Sequence, residues 1–304
     1  MSLEAELIRV GLRLFARSPD RAEMTIAERR AQMRGYAKRV PKPPKETTIT
    51  VLPLGTIPAI RVVRPRSRSD RFVLFLHGGG YSTGSFDLYR HILWRFADAA
   101  CAQILAVDYR LAPEHPFPAA LDDGLAAWQA LLAQGADARR VAFLGDSAGG
   151  GLAFALALRA REQNLPLPAA IIALSPWTDL AVTGASTSPA ARDPMLRTRD
   201  VVSLAHQYLA GADARNPYAS PLYGDLRGLP PSLLQVGSDE ILRDDAVRMA
   251  ANLNSAGSPA TLEIWPRMPH VWHAFAPILP EARRAIARIG EFAREWLSLA
   301  RLSR

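Results

Sequence analysis

The sequence contains a single cysteine, Cys101, so an intramolecular disulfide is excluded. We interpret Cys101, which precedes a predicted strand, as a small apolar core residue rather than a nucleophile. No charge-free apolar run approaches the roughly 20 residues that cross a bilayer. Charged residues at 4, 6, 9 and 13 interrupt the apolar N-terminus, which argues against a secretory signal. We therefore expect a cytoplasmic protein without stable membrane association.

A long run of like charges is also absent, although the chain carries a formal net charge of +8. Its 37 Lys and Arg residues are scattered, with short clusters such as residues 61–71. No aromatic residues interleave a basic stripe of the kind that binds nucleic acid. The composition therefore predicts a solvated basic surface and no nucleic-acid partner.

Strand and helix patterns alternate along most of the 304 residues, 49% of which are hydrophobic, enough for a large core. The predicted strands are 47–52, 57–63, 72–76, 103–107, 141–144, 170–174, 232–236 and 261–265. The first two read as a hairpin. Predicted helices include 121–132, 149–161, 244–256 and 281 to about 301. Continuous apolar strands that alternate with helices indicate an α/β protein whose mostly parallel sheet is flanked by helices.

Two segments fall outside this alternation. Residues 1–45 contain no predicted strand, and Ser18 and Pro19 separate two helices, the second opened by a capping box of Thr25 and Glu28. The apolar positions of the first helix are Leu3, Leu7, Ile8, Leu12 and Phe15. We interpret this segment as an appendage on the main body. Residues 180–215 are rich in Ser, Thr, Ala, Asp and Arg, and we interpret them as an insertion at the strand ends.

The motif with the clearest chemistry is Gly-Asp-Ser-Ala-Gly at 145–149, between a predicted strand and a predicted helix. G-x-S-x-G in that context is a nucleophile elbow, whose glycines permit the sharp turn that presents the serine. A phosphate loop is the alternative, but it needs dinucleotide spacing or a Gly-Lys-Ser/Thr end, and neither is present. The motif therefore predicts Ser147 as a nucleophile.

Three glycines, Gly78, Gly79 and Gly80, follow His77 directly after the strand predicted at 72–76. Their backbone N–H groups have no side chains in the way and suit an oxyanion. An HGGG element of this kind accompanies the nucleophile elbow. A flexible glycine turn is the alternative, and the pairing of the two motifs argues against it.

A serine nucleophile needs a base, and the base needs an acid that orients it. In α/β-hydrolases the acid and then the histidine follow the serine. His206 lies in the insertion and is predicted to be structural or solvated. His270 and His273 follow the last predicted strand, where a base belongs. The acid is expected after strand 232–236, and the residues leave Asp239 and Glu240 as candidates.

These motifs resemble those of the hormone-sensitive-lipase-like family of esterases. The matching elements are HGGGY from His77, DYRLAPEHPFPAALDD from Asp108, GDSAGG from Gly145, SPWTDL from Ser175, DEILRDD from Asp239 and MPHVWHAF from Met268. They span nearly the whole chain in the order of the family. The chain is therefore similar to the family throughout its length.

The resemblance implies an α/β-hydrolase fold, with an N-terminal helical cap at 1–45, a catalytic domain at 46–304 and a second cap segment at 180–215. It implies a serine carboxylesterase that acts on short-chain acyl esters, without cofactor or metal. Short substrates also fit the apparent lack of an interfacial helix with exposed large apolar residues. An amidase or formamidase, or a non-catalytic ligand-binding member of the fold, are the alternatives, and a homodimer stays open.

The resemblance also implies residue roles. The N–H groups of Gly79, Gly80 and Ala148 would form the oxyanion hole, and we include Gly78 of the same loop in it. The residues implied to support the site loops are Asp108, Arg110 and Glu114. His270 would be the base, because it follows Met268 by two residues, and His273 would be its neighbour at the site edge.

The identity of the acid depends on register. The family has Asp-Pro-Leu followed by an Asp, and this chain departs from that pattern. Alignment of residues 241–244 to Pro-Leu-x-Asp puts Glu240 at the acid position, and its separation of 30 residues from His270 agrees with the family. We therefore expect Glu240 as the acid, with Asp239 as the alternative.

Overall fold

A computed structural model describes residues 2–16, 24–188 and 193–298. Its strands are β1 (Thr48–Val51), β2 (Ala59–Val63), β3 (Arg68–Leu76), β4 (Ala102–Val107), β5 (Val141–Asp146), β6 (Ala170–Leu174), β7 (Ser232–Gly237) and β8 (Ala260–Trp265). They form one sheet in the order β1-β2-β4-β3-β5-β6-β7-β8. The β1–β2 and β2–β4 pairs are antiparallel, and the other pairs are parallel. The predicted hairpin and mostly parallel sheet are confirmed.

The α-helices are α1 (Leu3–Ala16), α2 (Ile26–Ala37), α3 (Phe86–Ala100), α4 (Ala119–Ala133), α5 (Ala148–Glu162), α6 (Thr198–Leu209), α7 (Arg243–Ser255) and α8 (Pro280–Ser298). The capping box of Thr25 and Glu28 is present at the start of α2. The predicted break at Ser18 and Pro19, and the predicted continuation of the last helix to residue 301, lie outside the described residues. Among the described helices, none combines the length and apolar character needed to cross a membrane.

Helices cover both faces of the sheet and enclose two apolar cores. Apolar side chains of α4, α5 and α7 pack on one face, and those of α3 and α8 pack on the other. The strands β4, β5, β6 and β7 are buried along their whole length, which explains their continuous apolar sequences. The carboxyl ends of the parallel strands β5, β6, β7 and β8 lie at one edge of this sheet, where a ligand site is expected in an open α/β fold.

Helix α1 exposes two of the apolar residues that recur in it at helical spacing. Ala5 and Arg9 are buried, whereas Leu3 and Leu7 are 74% and 64% exposed. The expectation that this chain has no helix with exposed large apolar residues is therefore wrong. The reason is that α1 is held by polar contacts, since Arg9 donates to Asp239 and the Ser2 backbone N–H donates to the Glu281 carboxylate. Helical spacing alone does not tell which apolar face is turned inward.

Candidate active site

Ser147 lies at the sharp turn between β5 and α5. Its backbone has φ 54° and ψ −122°, a conformation that is costly for any residue with a side chain. A Cβ on Gly145 would lie 2.1 Å from the carbonyl oxygen of Gly149, and a Cβ on Gly149 would lie 2.0 Å from that of Leu76. Only glycine fits these two positions, so the G-x-S-x-G spacing follows from the packing of this turn.

A chain of hydrogen bonds joins the three predicted triad residues. The hydroxyl Oγ of Ser147 lies 2.9 Å from Nε2 of His270, and Nδ1 of His270 lies 2.8 Å from Oε2 of Glu240. These residues follow the carboxyl ends of β5, β8 and β7, which adjoin one edge of the sheet. With its N–H at Nδ1, the imidazole donates to Glu240 and its Nε2 accepts the Ser147 hydroxyl, as a general base requires.

The two adjacent carboxylates after β7 have different partners. Besides the contact with His270, Glu240 accepts hydrogen bonds at Oε1 from the Ser175 hydroxyl at 2.8 Å and from the Gly237 N–H at 2.6 Å. Asp239 instead accepts from Arg9 at 2.5 Å and from the neighbouring Ser238 hydroxyl at 2.9 Å. The geometry thus brings Glu240 to His270 and directs Asp239 to the N-terminal helix.

The other two histidines of this part of the chain lie apart from the serine. His273 is fully buried and its Nε2 lies 2.8 Å from Oε1 of Gln235, a side chain of β7. Burial lowers the pKa of His273 to about 3, so its imidazole is neutral. His273 thus packs and hydrogen-bonds against β7, and the charge of His270 contributes to its lowered pKa. His206 is exposed on α6, in agreement with a solvated role.

The glycine-rich loop after β3 supplies two candidate oxyanion donors rather than three. The N–H of Gly78 donates to Oδ1 of Asp146 and to the Tyr89 hydroxyl, both at 3.0 Å. Gly78 is therefore engaged by the protein, and its inclusion in the oxyanion hole is corrected. Within the described residues, the N–H groups of Gly79, Gly80 and Ala148 have no hydrogen-bond acceptor.

The implied support residues make polar contacts around this loop. Arg110 pairs with Asp123 through several hydrogen bonds between 2.8 and 3.0 Å. Glu114 pairs with Arg30 of α2 at 2.7 Å, and Arg30 also donates to the carbonyl of Ser82, beside the glycine-rich loop. Asp108 lies next to His77, with 3.8 Å between Oδ1 and Nε2. Arg30 thereby connects α2 to the loop that carries Gly79 and Gly80.

A cavity of about 530 Å³ opens beside Ser147 and His270, and apolar side chains form most of its wall. Leu12 lines it from α1, Met33 from α2 and Leu204 from α6. Both segments outside the alternating pattern therefore border the cavity. Among the described residues, no group of three or more His, Cys, Asp and Glu is placed to hold a metal ion.

Two opposing effects set the pKa of His270. Burial disfavours the imidazolium, but the hydrogen bond and negative charge of Glu240 outweigh burial and raise the pKa above its usual value. The charges of Asp193 and Asp146 act in the same direction. Burial raises the pKa of Asp146 to about 6, although Tyr89 and Gly78 stabilise its carboxylate. Three carboxyl groups near His270 thus stabilise the protonated form of its imidazole.

Sequence reasoning did not identify two positioning contacts. The hydroxyl of Ser175 donates to Glu240 and also accepts the N–H of Val271 at 3.1 Å, so it links the segments that carry Glu240 and His270. The Tyr89 hydroxyl donates to Asp146 at 2.8 Å and accepts from Gly78. Ser175 is the first residue of the SPWTDL motif, and that motif could have indicated its role. Tyr89 lies in none of the motifs.

Comparison with known proteins agrees with this architecture. The alpha/beta hydrolase fold family matches residues 73–274. An acetyl-hydrolase of Streptomyces hygroscopicus is 51% identical over 233 residues, covering 76% of this chain and 78% of that protein. An ethyl acetate hydrolase of Pseudomonas putida is 31% identical over 297 residues, covering 94% and 93%.

A solved structure is similar over almost the whole chain. The crystal structure of an esterase from the bacterial hormone-sensitive lipase family superposes with a TM-score of 0.93 at 44% identity, covering 98% of this chain and 99% of that one. The fold, the motifs and these similarities show that the chain belongs to the α/β-hydrolase superfamily and, within it, to the hormone-sensitive-lipase-like carboxylesterases.

Proposed function

We propose that the chain hydrolyses short-chain acyl esters through a covalent acyl-enzyme on Ser147. The observation that carries this proposal is the chain of hydrogen bonds from Ser147 through His270 to Glu240, at the wall of a largely apolar cavity. The names of the acetyl-hydrolase and the ethyl acetate hydrolase support a short acyl group.

In the first half of the reaction, Oγ of Ser147 attacks the ester carbonyl carbon while Nε2 of His270 takes the hydroxyl proton. Glu240 keeps the N–H at Nδ1 and offsets the positive charge that forms on the imidazole. The tetrahedral intermediate then collapses, the bond to the alcohol oxygen breaks, and His270 returns the proton to the departing alcohol. An acyl group remains on Ser147.

The oxyanion of the tetrahedral intermediate would accept from the N–H groups of Gly79, Gly80 and Ala148. Loss of one such donor typically costs about 3 kcal/mol of transition-state stabilisation. Asp146 and Tyr89 support this arrangement, because they hold the preceding Gly78 by its own N–H. A preorganised loop needs no rearrangement when the charge develops.

In the second half, a water molecule gives a proton to Nε2 of His270 and attacks the acyl carbon. Collapse of the second intermediate breaks the bond to Ser147 Oγ, which recovers its proton from His270. The carboxylic acid leaves, and the hydrogen-bond chain of the free enzyme is restored. No cofactor takes part in this scheme.

We also propose that residues 1–45 and 180–215 act as cap segments that shape the substrate cavity over the catalytic domain at 46–304. Leu12 and Met33 of the first segment and Leu204 of the second support this role, because they line the cavity. A wall built from both segments would limit the length of the acyl or alcohol group.

The test is a series of p-nitrophenyl esters from acetyl to palmitoyl, together with mass spectrometry of a quenched reaction. We expect the highest kcat/KM among the short esters and one acyl group on the peptide that contains Ser147. Ser147→Ala should fold normally, lose that adduct and retain only the residual rate of the oxyanion hole and binding. Stoichiometric labelling of Ser147→Ala by a fluorophosphonate at another serine would refute the nucleophile.

A further inference from the structure

Most of the net positive charge of this chain lies in its first 45 residues. Residues 1–45 contain 11 Arg and Lys against 5 Asp and Glu, a net charge of +6, whereas residues 46–304 contain 26 against 24 and carry +2. No acidic residue occurs between positions 29 and 45. The exposed basic residues of this stretch are Arg34, Lys38, Arg39, Lys42 and Lys45. None of these five forms a salt bridge with any residue that the structure describes.

The same segment exposes a row of large aliphatic side chains. On α1, Leu3, Leu7, Val10 and Leu14 are 74%, 64%, 52% and 71% exposed. At 3.6 residues per turn these four positions fall within about 60° of one another around the helix. Ala5, which is buried, projects from the opposite side. The row therefore points away from the body of the protein. Single exposed apolar residues are common on soluble proteins, but four of them on one side of a helix form a continuous apolar surface.

The two chain segments that carry these features both border the active-site cavity. Leu12 lines the cavity from α1, and Tyr36 and Val40 line it from the end of α2 and the chain that follows, within the basic stretch. Apolar contacts and positive charge are the two components of peripheral binding to an anionic lipid surface. A second copy of the chain fits less well, because it would bring two segments of net charge +6 together.

We propose that α1 and residues 34–45 dock this protein reversibly on bilayers that contain anionic phospholipid. The aliphatic row of α1 enters the boundary between headgroups and acyl chains, and the basic stretch binds the lipid phosphates. This surface lies outside the hydrogen-bond chain of Ser147, His270 and Glu240. Docking is thus independent of catalysis and can be measured on inactive Ser147→Ala protein.

The experiment is co-flotation of the full chain with vesicles of phosphatidylcholine alone or of phosphatidylcholine with phosphatidylglycerol. We expect binding to the anionic vesicles and release at high ionic strength. Lys38→Gln with Lys42→Gln should weaken partitioning about thirtyfold, since each basic residue near the surface contributes about fivefold. Leu7→Ser with Leu14→Ser should weaken it roughly tenfold or more.

Matched controls separate the surface from bulk properties. Arg66→Gln with Arg215→Gln removes two exposed charges outside residues 1–45, and Val51→Ser with Ile264→Ser removes two exposed aliphatic side chains elsewhere. Both controls should bind like the parent protein, and all variants should keep the circular dichroism spectrum of the parent protein.

Three results would overturn the proposal. The first is no binding of the parent protein to anionic vesicles. The second is unchanged binding of the Leu7→Ser, Leu14→Ser variant. The third is a parent dimer in light scattering that this variant converts to a monomer without any lipid binding, which would make a second copy the occupant of the row.

Discussion

The guanidinium Nη1 of Arg9 lies 2.5 Å from the carboxylate of Asp239 and also donates to the carbonyl of Arg267 at 2.8 Å. One nitrogen of the N-terminal helix therefore contacts the two loops that carry Glu240 and His270. Although partial burial favours a neutral Asp239, Arg9 and Ser238 lower its pKa below the usual value. Burial raises the pKa of Glu240 instead.

These surroundings predict different effects of two isosteric substitutions. Glu240→Gln should lower kcat by roughly 10⁴-fold, as loss of the acid does in serine proteases, because the amide no longer favours the N–H at Nδ1 of His270. Asp239→Asn should change kcat far less, because it only weakens the ion pair with Arg9 that positions the loop after β7. Steady-state kinetics with circular dichroism on both variants checks this, and the opposite ranking would move the acid by one residue.

Replacement of the two buried histidines should separate catalysis from stability. His270→Ala should abolish turnover, because no other imidazole reaches Ser147 in the described structure. His273→Ala leaves Oε1 of Gln235 without this partner and should cost about 1–3 kcal/mol of the free energy of unfolding, with most of kcat retained. Urea unfolding and kcat measured in parallel provide the test. Loss of turnover in a stable His273→Ala protein would contradict the assignment.

The raised pKa of His270 predicts where activity is lost in acid. The base must be neutral to accept the Ser147 proton, so kcat/KM should fall as pH decreases through the pKa of His270. Because Glu240 raises that pKa, the inflection should lie above the ordinary imidazole value of about 6.5. In the residual activity of Glu240→Gln, the inflection should move to lower pH. A wild-type acid inflection below the ordinary value would contradict the electrostatic role of Glu240.

The hydroxyl of Ser175 offers a test of positioning. Ser175→Ala removes the hydrogen bond to Glu240 Oε1 and leaves the Val271 N–H without its partner. Both bonds orient Glu240 and the segment of His270, so kcat should fall with KM little changed, roughly 5- to 150-fold where about 1–3 kcal/mol of hydrogen-bond energy is lost from the transition state. Thr178→Val, which removes a buried hydroxyl that donates to the carbonyl of Asp245 instead, serves as the comparison. Equal losses of kcat in the two variants would show that Ser175 does not position Glu240 specifically.

Much of the fold could be predicted because its signals are local. A strand buried on both faces must be apolar throughout, and β4, β5, β6 and β7 were recognisable for that reason. The turn at Ser147 could also be predicted, because contacts within the turn and with the adjacent β3 require its glycines. Contacts between residues that are close in the fold's local geometry restrict which residue types can occupy these positions.

The tertiary structure decided which neighbour of each pair makes a given contact. Asp239 and Glu240 are adjacent and chemically alike, and their partners, Arg9 and His270, lie 230 and 30 residues away. Gly78 likewise matches Gly79 and Gly80 in sequence, but its N–H is taken by Asp146, 68 residues later.

The exposed face of α1 was also decided by packing. The sequence determined that Leu3 and Leu7 recur at helical spacing, whereas the contact of Arg9 with Asp239 decided that they face outward. Periodicity reports the angle between side chains around a helix axis. Only the surface on which the helix packs decides which of those angles is buried.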